Sequence, residues 1–145
     1  MSTITYLDNN ATTGPDERVV QAMLPLLTER WGNPSSGHHF GAQVAGEIEE
    51  ARTRVAGLIG ARDSEIVFTS GGTEADNTAL RGVLAADPAK RHLIVSAVEH
   101  HAVLETAERL EYEGVTVTRI GVDREGRLDL AALEAAIRSD TALIS

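Results

Sequence analysis

From residue 66 onward, short runs of apolar and β-branched residues alternate with longer segments whose apolar residues follow a helical period. Strands that alternate with helices predict a sheet with helices packed on it, which is the α/β class of fold. The predicted strands are residues 66–69, 92–97, 115–120 and 141–145, and the predicted helices are residues 73–86, 102–113 and 130–138. Ligands of such sheets bind at the carboxyl ends of the strands, so the residues that follow each strand are candidates for a functional site.

The N-terminal part of the chain predicts two further helices and a loop between them. The helix predicted over residues 15–31 begins with Pro-Asp-Glu, which suits a first helical turn, and Pro25 should bend or weaken it. Residues 32–41 are rich in Gly, Asn, Pro and Ser and predict a loop. The second helix is predicted over residues 43–59, with Gly60 as its C-terminal stop.

A glycine-rich turn, Ser70-Gly71-Gly72-Thr73, lies between the predicted strand 66–69 and the predicted helix 73–86. The first N–H groups of a helix have no partner within the helix and carry positive potential, so they bind phosphate well. Glycines allow the backbone to approach such a ligand closely, and the hydroxyl of Thr73 adds a donor. The turn equally fits an ordinary strand-to-helix junction in which Thr73 is the N-cap, and the residues alone leave both interpretations open.

Two histidines, His100 and His101, follow the predicted strand 92–97 and should lie at the same edge of the sheet. An imidazole can stack on a flat heteroaromatic ring and can move protons near neutral pH. The alternative is that both are solvent-exposed residues of a helix start, with Glu99 as a cap, and it also stays open.

Composition restricts the classes of partner. The chain has 22 acidic and 13 basic residues and a formal net charge of −9, whereas nucleic acids and anionic membranes need clustered Lys and Arg. No apolar run has membrane-spanning length and residues 1–4 do not resemble a signal peptide, so we expect a cytoplasmic protein without nucleic-acid or membrane partners. There is no cysteine for a disulfide or a thiolate zinc site, and the histidines lack the spacing of a metal-binding helix face.

Several longer motifs occur in order along the chain. They are LDNNATT at 7–13, GNPSS at 32–36, FTSGGTEADN at 68–77, EHHAVL at 99–104 and VDREGRLD at 122–129. Together they resemble the N-terminal part of a cysteine desulfurase of the NifS/IscS type, which is a fold-type-I pyridoxal-phosphate enzyme. The resemblance extends over essentially the whole chain.

This resemblance implies a reaction that takes sulfur from L-cysteine, leaving L-alanine, for iron–sulfur clusters and other thio-cofactors. By the same similarity, Gly72 and Thr73 would bind the phosphate of pyridoxal 5′-phosphate. His100 would stack on the pyridine ring and assist proton transfer. Residues 10–12 and 33–35 would lie near the site or at a dimer interface.

The resemblance also implies a domain organisation and partners. Residues 1–40 would form an N-terminal segment with a small-domain helix and an active-site loop, and residues 41–145 would begin the large, cofactor-binding domain. A homodimer is implied, together with a sulfur-acceptor or iron–sulfur scaffold protein as partner.

The sequence lacks part of the family's chemistry, which needs a lysine for a Schiff base with the cofactor and a cysteine to carry a persulfide. The chain has no cysteine, and its only lysine, Lys90, lies in a polar loop before a strand, at the wrong end of the sheet. Residues 141–145 read as a buried strand with no turn after it. We therefore expect an incomplete N-terminal part that is inactive in isolation.

Two other interpretations remain. The chain could belong to another class-V pyridoxal-phosphate enzyme, such as a selenocysteine lyase or an aminotransferase. It could also be a non-catalytic remnant or interaction module that kept the surface of the fold.

Overall fold

A computed structural model describes residues 4–145, which form two compact units, one ending at Val67 and the other spanning Phe68–Ser145. The helices are α1 (Glu17–Thr28), α2 (His39–Ile59), α3 (Gly72–Ala86), α4 (His101–Tyr112) and α5 (Leu130–Ala136). The strands are β1 (His92–Ser96), β2 (Thr116–Ile120) and β3 (Thr141–Ile144), and Asp63–Glu65 is a short 3₁₀ helix. The assignment of residues 1–40 and 41–145 to two domains stays a prediction.

The second unit contains a parallel sheet with the strand order β2-β1-β3. In β1, Ile94 pairs with Thr118 of β2 and with Ile144 of β3, and the pairing with β3 shifts register between His92 and Leu93. Helix α4 connects β1 to β2, and α5 connects β2 to β3. The predicted α/β fold is therefore confirmed, and the helices of this unit and its three paired strands lie within two residues of their predicted bounds.

The core of this unit lies around the central strand. Leu93, Ile94 and Val95 are completely buried, as expected when both faces of a parallel strand are covered. Leu93 and Val95 point to one face because side chains alternate along a strand. There they belong to a buried cluster whose other members are Leu80, Val103, Ala107, Leu110 and Val115. Helices α3 and α4, which carry most of this cluster, are thereby held against the sheet.

The prediction of a strand over residues 66–69 is wrong. Ile66 has extended backbone angles (φ −93°, ψ 126°), but the segment pairs with no strand within residues 4–145. Val67 is 70% exposed and Phe68 is 49% exposed, so these side chains are not buried as a central strand would require. A β-strand exists only through hydrogen bonds to a neighbour, which a local run of β-branched and aromatic residues does not supply.

The helices of the first unit begin at side-chain caps. The carboxylate of Asp16 accepts the N–H of Arg18 (2.8 Å), so α1 starts at Glu17, and it ends at Thr28, three residues after Pro25. Helix α2 starts four residues before its predicted beginning because His38 caps it, with Nδ1 accepting the N–H of Gly41 (3.2 Å). Gly60 ends α2 in the left-handed conformation (φ 68°), as predicted.

The loop before α2 folds tightly onto the start of that helix. A Cβ on Gly41 would lie 2.4 Å from the carbonyl oxygen of Asn33, and one on Gly32 would lie 2.7 Å from that of Phe40. The rings of Trp31 and Phe40 meet edge to face, with centroids 5.2 Å apart. Close backbone approach therefore requires glycine at positions 32 and 41.

Within residues 4–145, none of the helices combines the length and apolar character that crossing a lipid bilayer requires.

Candidate functional site at the carboxyl edge of the sheet

The strands of the second unit end at one edge of the sheet because they are parallel. Helix α4 begins shortly after β1 ends, so its N-terminus lies at this carboxyl edge. Helix α3 ends shortly before β1 begins and packs along α4 and β3, so α3 and α4 run in the same direction. The ion pair between Arg81 of α3 and Glu113 after α4 (3.0 Å) joins their C-terminal halves. The structure thus brings residues 70–73 and His100 to the same edge, as the sequence predicted.

The glycine turn leads into α3 without a side-chain cap. The N-cap is Gly71, whose carbonyl oxygen accepts the N–H of Ala75 (3.1 Å), and no side chain of the described residues bonds as its N-cap. Thr73 is therefore not the N-cap, and its hydroxyl does not accept a capping hydrogen bond from the first turn of α3. The N–H groups of Gly72 and Thr73 precede the first residue that can donate within the helix, so they are available to an external acceptor.

Both glycines leave open space in front of these donors. Gly71 is fully extended (φ 168°) and Gly72 is helical, and neither conformation requires glycine. A Cβ on either residue would meet no heavy atom within 4 Å among the residues described. Packing among the described residues therefore does not explain the two glycines, and the open space in front of the N–H groups has room for a phosphate such as that of pyridoxal 5′-phosphate.

His100 is the N-cap of α4. Its Nδ1 accepts the backbone N–H of Ala102 (3.1 Å), so Nδ1 carries no proton and the neutral ring holds its proton on Nε2. The side chain is exposed, which leaves the ring face and Nε2–H accessible. The cap is thus His100 rather than Glu99, and one ring combines a structural role with an accessible donor.

Its neighbour His101 lies in a different environment. Its side chain is 85% exposed, and its Nδ1 lies 3.8 Å from the carboxylate of Glu105 one turn along α4. The two imidazole centroids are 6.4 Å apart. Of the two histidines, only His100 is fixed by a bond to the helix start.

The lysine is found where the sequence predicts it. Lys90 belongs to the turn before β1, where its N–H bonds the carbonyl oxygen of Asp87 (3.0 Å). It therefore lies at the amino edge of the sheet, and a strand of this length separates the two edges by about 16 Å. Lys90 cannot serve the site at the carboxyl edge.

Sequence reasoning missed Glu74. Its carboxylate accepts both the N–H (2.7 Å) and the hydroxyl (2.6 Å) of Ser70, which closes the glycine turn. Those two bonds lower the pKa of Glu74, so the carboxylate is charged at neutral pH. An acidic residue three positions after an N-cap is a known sign of a capped helix start and would have been a signal for it.

Comparison with known proteins defines the class to which this fold and site belong. The profile of the class-V aminotransferase family matches residues 5–145. The chain therefore belongs to the class-V aminotransferase family, whose members use pyridoxal 5′-phosphate.

Within the family, the chain is similar to cysteine desulfurases. It is 54% identical over 142 residues to cysteine desulfurase 2 of Trichormus variabilis, covering 98% of this chain and 36% of the relative. It is 50% identical over 141 residues to cysteine desulfurase NifS of Azotobacter vinelandii, covering 97% and 35%. A solved NifS-like protein superposes with a TM-score of 0.86 at 40% identity, covering 94% of this chain and 38% of that one. The chain thus spans just over a third of the length of these relatives.

Proposed function

We propose that this chain is the N-terminal part of a cysteine desulfurase, which converts L-cysteine to L-alanine and transfers the sulfur to an acceptor. The observation that carries the proposal is the identity of 50% to 57% with cysteine desulfurases over nearly the whole chain. In this proposal the full-length enzyme is the polypeptide in which this sequence continues to the length of those relatives.

The residues at the carboxyl edge have separate roles in this proposal. The N–H groups of Gly72 and Thr73, with the Thr73 hydroxyl, hold the phosphate of pyridoxal 5′-phosphate. His100 lies against the pyridine ring and holds a proton at Nε2, from which it assists proton transfer. The cofactor, when bound, supplies the electron-withdrawing ring that the reaction needs.

Other parts of the proposal concern groups outside this sequence. The amine that binds the cofactor and the thiol that carries the sulfur come from the rest of the full-length enzyme, because the chain has no cysteine and only Lys90 as lysine. We further propose a cytoplasmic homodimer that passes sulfur to an acceptor or an iron–sulfur scaffold protein. Residues 10–12 and 33–35 are proposed to lie near the site or the dimer interface.

Two measurements test the proposed function. Sequencing the coding DNA beyond Ser145 should reveal a continuing frame with a downstream lysine and cysteine. The full-length enzyme should then release alanine from L-cysteine. A preference for L-selenocysteine would instead identify a selenocysteine lyase. Transamination without sulfur release would identify an aminotransferase. A genuine stop codon after Ser145 would favour a non-catalytic module.

The 145-residue chain by itself should show no desulfurase activity. Lys90 lies at the opposite edge of the sheet, and no cysteine is present to carry sulfur, so no other group of the chain replaces the missing nucleophiles. The measurement is alanine and sulfide release from L-cysteine with added pyridoxal 5′-phosphate. Release above the level of free cofactor would contradict the expectation.

Replacing Thr73 by valine in the full-length enzyme should weaken cofactor retention about tenfold to a hundredfold. The substitution keeps the shape of the side chain but removes a hydroxyl donor to a charged phosphate, and such hydrogen bonds contribute about 1.5–3 kcal/mol. Retention is measured from bound-cofactor absorbance after serial dilution. Thr78→Val, further along the same helix, is the control and should behave as the parent. If Thr73→Val retained the cofactor as the parent does, the proposed phosphate contact of the Thr73 hydroxyl would be wrong.

A further inference from the structure

Glu74 and Ser70 form a closed contact at the mouth of the proposed phosphate site. A single oxygen of the Glu74 carboxylate, Oε2, accepts the N–H of Ser70 at 2.7 Å and its hydroxyl at 2.6 Å. One residue earlier, the hydroxyl of Thr69 bonds the carbonyl oxygen of Gly71 (3.1 Å). The segment that leads into α3 is therefore fixed from the helix side by Glu74.

This contact matters because the rest of the turn has little to hold it. Gly71 and Gly72 have no side chains, and a Cβ on either one would touch nothing among the described residues. Residues without side-chain contacts have many accessible backbone conformations, and ordering them has an entropic cost. The two bonds from Glu74 restrict these conformations before any ligand is bound.

The contact also divides the donors of the turn into two groups. Ser70 directs its N–H and its hydroxyl to Glu74, so neither is directed to a ligand. The N–H groups of Gly72 and Thr73 remain directed outward at the start of α3. A negative carboxylate near a phosphate is electrostatically unfavourable, so the role of Glu74 cannot be to attract the anion.

We propose that Glu74 is a positioning residue, which holds Ser70 so that the N–H groups of Gly72 and Thr73 are preorganised for phosphate. This inference rests on the proposed function, since it assigns Glu74 a part in the same cofactor site. Glu74 holds Ser70 through the acceptor oxygen Oε2 and not through the negative charge of the carboxylate. Glutamine places an amide oxygen at the same position, so it can accept both bonds without the negative charge.

The test compares Glu74→Ala, Glu74→Gln and Ser70→Ala with the parent in the full-length enzyme. Retention of pyridoxal 5′-phosphate on dilution should fall about tenfold in Glu74→Ala and stay within about threefold of the parent in Glu74→Gln. Ser70→Ala removes one of the two bonds and should give a smaller loss. Binding of pyridoxal, which has no phosphate, should be the same in all four proteins.

A second measurement is independent of the cofactor. In the apo protein, exchange of the Ser70 amide hydrogen should be faster in Glu74→Ala than in the parent and should be slow again in Glu74→Gln. The inference is overturned if Glu74→Ala retains the cofactor as the parent does, if pyridoxal binding falls equally, or if glutamine fails to restore retention. A parent that holds no pyridoxal 5′-phosphate at all would overturn the proposed function itself. Unaltered Ser70 exchange in Glu74→Ala would show that the contact does not restrain Ser70, and it would overturn the inference while leaving the proposed function standing.

Discussion

His100→Ala should lower the turnover of the full-length enzyme about a hundredfold or more, while most of the cofactor stays bound. The substitution removes the ring that is proposed to lie against the pyridine, together with the proton that the neutral ring holds at Nε2, and a positioned acid–base group contributes about 10²–10⁴-fold. The substitution leaves the proposed phosphate contacts of Gly72 and Thr73 in place, so bound-cofactor absorbance should largely survive. The measurement compares that absorbance with the rate of alanine formation in the same preparation.

The structure allows the capping role of His100 to be separated from the role of its ring. His100→Asn keeps a side-chain acceptor for the N–H of Ala102, whereas His100→Ala removes it and should cost about 1 kcal/mol of stability. Turnover should be lost in both variants, and stability only in the alanine variant. His101→Ala is the matched control and should retain turnover, because that side chain is exposed and is not bonded to the helix start. Near-normal turnover in His100→Asn would show that only the cap is needed.

His92→Ala should lower the free energy of unfolding by about 2–4 kcal/mol. His92 is completely buried at the start of β1, where Nδ1 lies 2.8 Å from the hydroxyl of Thr141 in β3 and Nε2 lies 2.8 Å from that of Thr118 in β2. The ring thus bonds both neighbouring strands, and its removal leaves a cavity and takes one hydrogen-bond partner from each hydroxyl, although Thr141 still accepts the N–H of Arg138 (2.8 Å). Urea unfolding measures the loss, and the exposed His39→Ala is the control, with a change within about 0.5 kcal/mol.

The same residue gives the unfolding free energy a pH dependence. Burial lowers the pKa of His92, the positive charge of Arg138 lowers it further, and the carboxylate of Asp140 opposes both. Between this lowered pKa and the ordinary value of about 6.5, the unfolded chain binds more protons than the folded one. Stability should therefore fall as pH drops below about 6.5, by up to about 1.4 kcal/mol per pH unit, with no contribution from His92 above neutral pH. A pH profile that is identical in parent and His92→Ala would contradict this account.

Local rules in the sequence determined most of the architecture. Hydrophobic periodicity places α3, α4 and the strands β1 to β3 within two residues of their observed bounds, because period and propensity act over a few neighbouring residues. Gly60 ends α2 with a positive φ, which glycine adopts more easily than other residues, and this preference is also local to the residue itself. The alternation of strands and helices, with short connections, then implies that the glycine turn and His100 share the carboxyl edge.

Only the tertiary structure decided how these elements use their polar groups and their partners. Residues 66–69 have the composition of a strand but form no β-ladder with another strand of the described residues, and strand pairing is a property of the whole sheet. His92 reads as an ordinary residue before an apolar run, and its importance depends on which two threonines the strand order places beside it. Glu74 is one of 22 acidic residues in the sequence, and only the folded turn shows that its carboxylate is bonded to Ser70. The physical reason is that periodicity and turn chemistry act between near neighbours, whereas strand pairing, burial and hydrogen-bond choice depend on geometry that exists only after the chain has folded.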